Sequence, residues 1–470
     1  MRLELPLLVQ KTLELVEKAG HKIYVVGGSV RDILADRTVK DWDFTTSAKP
    51  EELEELFPES FYDNQFGTVG ITVAELIKQF EMNDYEPDKD KLKPEDVFEI
   101  TTFRTEGEYK DGRRPESVAW GQSIEEDLQR RDFTINALAL KIECKENGHK
   151  VCNYELIDLY DGKKDLEAKL IRAVGDADKR FAEDGLRMLR AIRMASQMGY
   201  LIEEKTLESI SHNSHLLSKI SNERIRDELL KIVSAEHGAD GMRMLLATGL
   251  LSYVLPEMEK TVGVEQAGHH TKDVWNHSVD AMQACPSPDP IVKLATLIHD
   301  VGKAVAYRKN NGKITFYGHE VIGGRMAKQI AIRLHLSKED SEKLFIFVRY
   351  HMFAYQPEMT DASIRRFIRK VGLKNINNMM MLRIGDRVGG GSKQTSWRLT
   401  ELQKRIGAVL YTPMQIKDLK VNGHDVMEIL GIKGGPKVGE VLKALFEEVM
   451  EDSAKNDREY LLKRIEEFKQ

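Results

Sequence analysis

The sequence predicts an α+β chain, an α/β head followed by an extended all-helical body, and three observations carry that prediction. Apolar strand-like runs alternate with helical segments up to about residue 160. From about Leu166 onward nearly every window has helical periodicity instead. That second part is interrupted only by Gly and Pro clusters near Pro286–Pro290, Gly389–Gly391 and Gly434–Pro436, and no internal repeat is visible.

Taken in order, an amphipathic helix opens the chain and ends at Ala19-Gly20. Lys22 to Val26 is a buried strand stopped by Gly27-Gly28, and Ser29 to Ala35 begins a helix. Further strands are predicted at Trp42–Thr45, Thr68–Val73, Val97–Phe103, Ala137–Ile142 and Glu155–Leu159. Asp84 to Pro94 is too charged and proline-interrupted for a core, so it reads as a surface insertion.

Composition narrows the class. Seventy basic against 76 acidic side chains in 470 residues leave a net charge of −6, so the chain is no general polycation and any contact with RNA must be local. The charge is uneven: residues 50–100 carry 15 acids against 4 lysines, net −11, whereas residues 361–417 carry 12 Lys and Arg against 3 acids, net +9. The second stretch is either a phosphate-contacting surface or a solvated helical face. No apolar run is long enough to span a bilayer and the first twenty residues are unlike a secretory signal, so a cytoplasmic protein without a membrane partner is expected. Cys144, Cys152 and Cys285 cannot form a disulfide framework and lack zinc-ribbon spacing, and are expected as small buried hydrophobes.

The head carries the first chemistry. Gly27-Gly28-Ser29 between a strand and a helix exposes backbone N–H groups at a helix N-terminus, suited to phosphate, with Arg31 in the first turn. Asp41 and Asp43 alternate on a strand and so face the same side, an arrangement of like charges that favours a cation between them; two carboxylates with open positions for triphosphate oxygens suit Mg²⁺. Glu99 on another predicted strand is a third carboxylate, or a solvent-side residue of an alternating strand.

The motifs VVGGSVRD, KDWDFTT, EITTFRTEGEYKDGRRPESV, EEDLQRRDFTINALAL and EDGLRMLRAIRMASQMGY stand in that order between Ile23 and Leu230. In this they resemble the class II tRNA nucleotidyltransferase and bacterial poly(A) polymerase family. The resemblance implies a polymerase-β-like nucleotidyltransferase head over 1–160, a neck over 161–235, a body with an HD domain over 236–390 and a tail over 391–470. It implies that Gly28 and Arg31 hold the triphosphate, that Asp41 and Asp43 ligate Mg²⁺, and that Arg131, Asp184, Arg187, Arg190 and Arg193 contact the nucleotide. Asp132 and Asn136 would support the sugar side. Glu99 matches less securely, because the insertion at 84–94 departs from the family's compact hairpin.

Asp184 and Arg187, three apart on a helix, form either an intrahelical ion pair or a base reader. Cytosine and adenine each present an amino donor beside a ring-nitrogen acceptor, and uracil and guanine the reverse. A carboxylate and a guanidinium side by side would therefore accept C and A. Arg193, about half a turn away, is placed as a phosphate or tRNA contact. Thr105 to Val118 has the composition of a mobile loop, which the resemblance makes the switch from C to A addition. Gly431 to Leu445 is a Gly-Pro turn opening a helix, similar to the family's tRNA-binding tail.

Leu294 to Lys303 is an apolar helix ending in His299-Asp300, similar to the HD phosphohydrolase signature. His277 precedes it and His319, His351 and Asp386 follow at positions resembling the other ligands, a set that suits Mn²⁺, Fe²⁺, Ni²⁺ or Zn²⁺. The reading is addition of CCA to tRNA from CTP and ATP, with secondary hydrolysis at the HD site. The alternatives are an A-adding enzyme or poly(A) polymerase, or an HD phosphohydrolase with a non-catalytic RNA-binding head.

Overall fold

The computed structural model describes residues 2–39, 41–63, 67–82, 84–106, 118–121, 123–144, 151–266, 272–311, 313–353, 355–410 and 415–469. These form two compact units, Met1–Val254 and Leu255–Gln470.

The first unit is built on β1 (Arg2–Glu4), β2 (Ile23–Val26), β3 (Trp42–Thr46), β4 (Phe61–Asp63), β5 (Thr68–Thr72) and β6 (Val97–Thr102). These are followed by β7 (Arg104–Glu106), β8 (Val118–Trp120), β9 (Leu138–Glu143) and β10 (Val151–Asp158). Eight of them make one sheet, in the order β1-β10-β9-β2-β3-β6-β5-β4, and β7 and β8 pair apart from it. All pairings in the sheet are antiparallel except β3 with β6. That parallel pair sets Asp43 opposite Glu99. The helix Leu7–Lys18 turns Leu8, Val9, Leu13 and Val16 into a core shared with Phe44, Ile71, Phe98 and Leu140.

The five expected strands are present, and β1, β4, β7 and β8 were not expected; each of the four is only three residues long, too short for alternation to register. The insertion at 84–94 is less superficial than its composition implies. It forms a 3₁₀ turn over Pro87–Asp90 with Tyr85 hydrogen-bonded to Asp90, and sinks Leu92 into the head core. The cysteine expectation is corrected for two of the three: Cys144 and Cys152 are disulfide-bonded, because the β9–β10 hairpin brings positions eight apart face to face. Cys285 is free and buried as expected. The 107–117 part of the expected loop lies outside the described residues.

Past the sheet, helices Ala177–Glu183, Leu186–Met198, Glu204–Asn213 and Asn222–Val233 complete the first unit. The second unit is helical apart from one small hairpin, Arg308–Asn310 with Lys313–Thr315. No helix among the described residues is long and apolar enough to cross a membrane.

Candidate active site and metal centre

The Gly27-Gly28 turn brings backbone and carboxylate together. Gly27 sits at φ +64°, and a Cβ there would lie 2.8 Å from Arg131 Nη1 and 3.5 Å from Asp43 Oδ2, so only glycine fits on both counts. Gly28 faces Arg31 and Asp43 in the same way. Ser29 is fully buried and points behind the turn: its hydroxyl donates to Asp41 O at 2.9 Å and accepts from Asp43 N at 2.8 Å. It fixes the carboxylate strand instead of offering its side chain to phosphate.

Asp43 collects the charge of the site. Burial and then the neighbouring Glu99 push its carboxyl up to about 6, Asp41 adding to the effect, while Arg131 and Arg31 pull the other way. A carboxylate so crowded by its own kind is poised for a cation. Asp41 and Glu99 are exposed at either side. Asp127, which sequence reasoning missed, explains how Arg131 is aimed. It is fully buried and accepts from Arg131 Nη2 at 3.0 Å and from Arg130 Nη2 at 2.6 Å. Its signal was present in Asp127-Leu128-Gln129-Arg130-Arg131, at helical ion-pair spacing. Arg31 donates to Asn136 Oδ1 at 3.0 Å and to the Asp32 carboxylate.

The neck residues are not arranged as one helix. Asp184 has extended backbone, φ −147° and ψ 105°, between the helices Ala177–Glu183 and Leu186–Met198. The intrahelical Asp184–Arg187 pair is therefore not among the printed contacts of either carboxylate or guanidinium: Arg187 pairs with Glu183 and donates to Arg130 O at 3.2 Å. Asp184 instead accepts from Arg224 Nη2 at 2.7 Å and from Leu186 N at 3.0 Å. Arg190 donates to Asp132 at 2.7 Å. Arg193, placed by sequence as an RNA contact, is occupied by Glu228 at 2.7 Å and Gln197 at 3.1 Å. Glu183, Arg224 and Glu228 carry no motif spacing to these partners and were invisible beforehand.

In the second unit, four helical segments converge on a buried centre. His277 lies in the helix Val274–Ala284, His299 and Asp300 follow Pro290–Ile298, His319 opens His319–Arg333, His351 caps Lys338–Tyr350 and Asp386 lies in Ile376–Gly389. All six expected residues meet. His277 Nε2 is 3.3 Å from His299 Nε2 and 3.2 Å from Asp386 Oδ1, and His299 Nε2 is 3.2 Å from Asp300 Oδ2. Burial opposes charge on His299, yet Asp300 and Asp386 raise its imidazole to about 10. Two groups of three, His277-His299-Asp300 and Asp300-His319-His351, have ligand atoms within 4.8 Å of one another and could hold a metal ion. The donor set and the buried Nε2 atoms of His319 and His351, which make no hydrogen bond, fit such an ion.

The basic stretch 361–417 is partly spent inside the unit. Arg365 donates to Met450 O at 2.9 and 2.7 Å, and Arg366, Arg369 and Arg405 pair with Glu451, Glu447 and Asp361. Lys370, Lys374, Lys393, Lys404 and Lys417 are exposed, and Arg398 lies over the exposed ring of Trp397.

Family models match in the same order. A poly A polymerase head domain matches residues 23–172, an HD domain 268–387 and a tRNA nucleotidyltransferase domain 2 352–465. The CCA-adding enzyme of Lactobacillus helveticus is 44% identical over 239 residues, 51% of this chain, so the match spans about half (52%) of that relative's length. That of Bacillus cytotoxicus is 31% identical over 462 residues, 97% of this chain and 96% of the relative. The crystal structure of the Bacillus stearothermophilus CCA-adding enzyme in complex with CTP superposes with a TM-score of 0.71 at 26% identity, covering 99% of this chain and 98% of that one. On the full-length match and the shared order of domains, the chain belongs to the CCA-adding enzyme family.

Proposed function

We propose that the protein adds CCA to the 3′ end of tRNA without a template, using CTP and ATP. The observation that carries this reading is the apposition of Asp43, crowded by Glu99 and Asp41, to the Gly27-Gly28 turn and to Arg131. The tRNA 3′-hydroxyl attacks the nucleotide α-phosphate in line and pyrophosphate leaves. Asp41 and Asp43 are the residues that would hold Mg²⁺, which when bound supplies positive charge beside the attacking and leaving oxygens. The amides of the turn, Arg31 and Arg131 orient the triphosphate, and Asp132 and Asn136 brace the arginines around it. Asp184 and Arg187 select the base, the carboxylate accepting from the amino group and the guanidinium donating to the ring nitrogen. The boundaries 1–160, 161–235, 236–390 and 391–470 divide these tasks into head, neck, body and tail. The exposed lysines and Trp397 of residues 370–417 supply a basic, stacking-competent face for tRNA.

The test is to offer tRNA ending at the discriminator base, at C or at CC, with CTP, ATP or both, and to size the products. Growth by three nucleotides from the first substrate is expected. Growth only from the CC end would make this an A-adding enzyme, and long adenosine runs a poly(A) polymerase.

A second reading applies to the HD centre, on the strength of the unpartnered His319 and His351 Nε2 atoms. We infer that it binds Mn²⁺, Fe²⁺, Ni²⁺ or Zn²⁺ and hydrolyses phosphate esters at tRNA ends, including 2′,3′-cyclic phosphates. Hydrolysis of a 2′,3′-cyclic nucleotide by the protein but not by His299→Ala is the expected result. Equal rates would leave the centre structural.

A further inference from the structure

The buried His–Asp centre consists of two donor sets that share one carboxylate. Asp300 Oδ2 faces His277 Nε2 at 3.6 Å and His299 Nε2 at 3.2 Å, and Asp386 Oδ1 lies 3.2 and 3.5 Å from the same two nitrogens. Asp300 Oδ1 is 3.3 Å from His319 Nε2 and 3.6 Å from His351 Nε2. The donors thus gather as two groups with Asp300 in both, not as one.

The histidines are prepared as ligands by their far nitrogens. Nδ1 of His299 lies 2.7 Å from Thr296 O, Nδ1 of His319 3.0 Å from Phe316 O and Nδ1 of His351 2.8 Å from Val348 O, each a carbonyl three residues earlier. A carbonyl can only accept, so each Nδ1 carries a proton and directs Nε2 inward. If only the His277–His299 side held an ion, the inward Nε2 atoms of His319 and His351 would stay buried without a hydrogen bond, which folded proteins avoid. The backbone also favours the second set. Gly302 has no room for a Cβ, which would strike His319 O and lie 2.7 Å from Gly323 N, so the His319 helix can approach Asp300 closely. Lys303 donates to Asp300 Oδ2 at 2.6 Å and to Gln266 Oε1 at 2.8 Å, anchoring the shared carboxylate.

We propose that this centre binds two divalent ions bridged by Asp300, one held by His277, His299, Asp386 and Oδ2, the other by His319, His351 and Oδ1. Bridged pairs of this kind place ions about 3.5–4 Å apart, which the two oxygens of one carboxylate can serve. The proposal rests on the reading of the centre as a metal site, and the count of ions separates the two.

The experiment uses full-length protein carrying Asp43→Ala, which removes the head's contribution, stripped of metal and titrated with Mn²⁺. Bound Mn²⁺ per chain is measured by equilibrium dialysis with elemental analysis, and low-temperature EPR reports exchange coupling between neighbouring ions. Two Mn²⁺ per chain with a coupled spectrum are expected, falling to one uncoupled ion in His351→Ala and, independently, in His319→Gln. One uncoupled Mn²⁺ in the parent protein would overturn the two-ion proposal and leave the metal reading standing. No bound Mn²⁺ would overturn both. Circular dichroism identifies a variant that fails to fold, and the parent's count and coupling then decide alone.

Discussion

Arg190 donates from Nε to Asp132 Oδ2 at 2.7 Å, joining the helix Leu186–Met198 to the segment that follows the Arg130-Arg131 pair. Asp132 is buried, and burial alone would raise its carboxyl. The charges of Arg190 and Arg187 outweigh that and hold it at about 2. A carboxylate held below its unfolded value contributes stability that is full above about pH 4 and is lost as pH falls towards 2. Asp132→Asn should therefore lower stability at pH 7 by roughly 1–3 kcal/mol, a figure kept below that of a fully buried pair because Arg190 is part-exposed. Urea unfolding at pH 7 and at pH 3 checks this, and the variant should show a shallower loss between the two. An unchanged pH slope would mean that Asp132 does not couple the neck to the head in this way.

The carboxylate pair is predicted to serve chemistry and not docking. Asp41→Ala or Asp43→Ala should abolish nucleotide addition and leave tRNA binding within a few-fold of the parent protein. Filter binding and primer-extension gels measure the two quantities separately. Full activity in either variant would remove these residues from the active site.

How far these sites were legible beforehand depends on how local their causes are. Gly27, Gly28, Asp41 and Asp43 lie within one strand–helix–strand stretch, and motif spacing was enough to group them. Glu99 was left open, and the parallel β3–β6 pairing that sets it against Asp43 comes from a register that sequence does not state. The neck was misjudged as one helix because Asp184 sits in continuous helical periodicity, whereas capture of its carboxylate by Arg224, 40 residues on, accompanies a break in the backbone. The disulfide was missed for a related reason, since pairing Cys144 with Cys152 requires knowing that they end adjacent strands. The HD residues were grouped through the order of a known signature, and their division into two sets is visible only in three dimensions.

Base choice should weaken without Asp184. Asp184→Ala removes the acceptor for the amino group, so discrimination against UTP should relax by about 1–3 kcal/mol. Arg224→Ala frees the Asp184 carboxylate from its clamp, and it should relax the same discrimination while Arg224→Lys restores part of it. Single-turnover incorporation of CTP and UTP gives the ratio. Variants that stay strictly selective and only melt earlier would assign Asp184 and Arg224 to folding.

The loop prediction concerns residues outside those described. Deleting Gly107 to Arg114 should leave addition of the two cytidines intact and stop addition of A, seen as products that end at CC. Completion of CCA by the deleted protein would contradict a switching role for this segment.

The Cys144–Cys152 bond closes a short loop at the end of the β9–β10 hairpin, and β9 pairs directly with β2, the strand that leads into the Gly27-Gly28 turn. By chain entropy a loop of this length is worth about 2–3 kcal/mol at most. In a reducing compartment the bond would be open. Since Val25 and Val26 on β2 are already held by Leu140 and Ala139 of β9, and the bond lies beyond these pairs, the site should not need it. Treating the protein with dithiothreitol should therefore lower the unfolding free energy by no more than that amount and leave nucleotide addition unchanged. Cys144→Ser, which replaces an exposed residue, should behave like the reduced protein. Loss of activity on reduction, with Cys144→Ser equally inactive, would mean instead that the hairpin end governs the strand on which the phosphate turn is built.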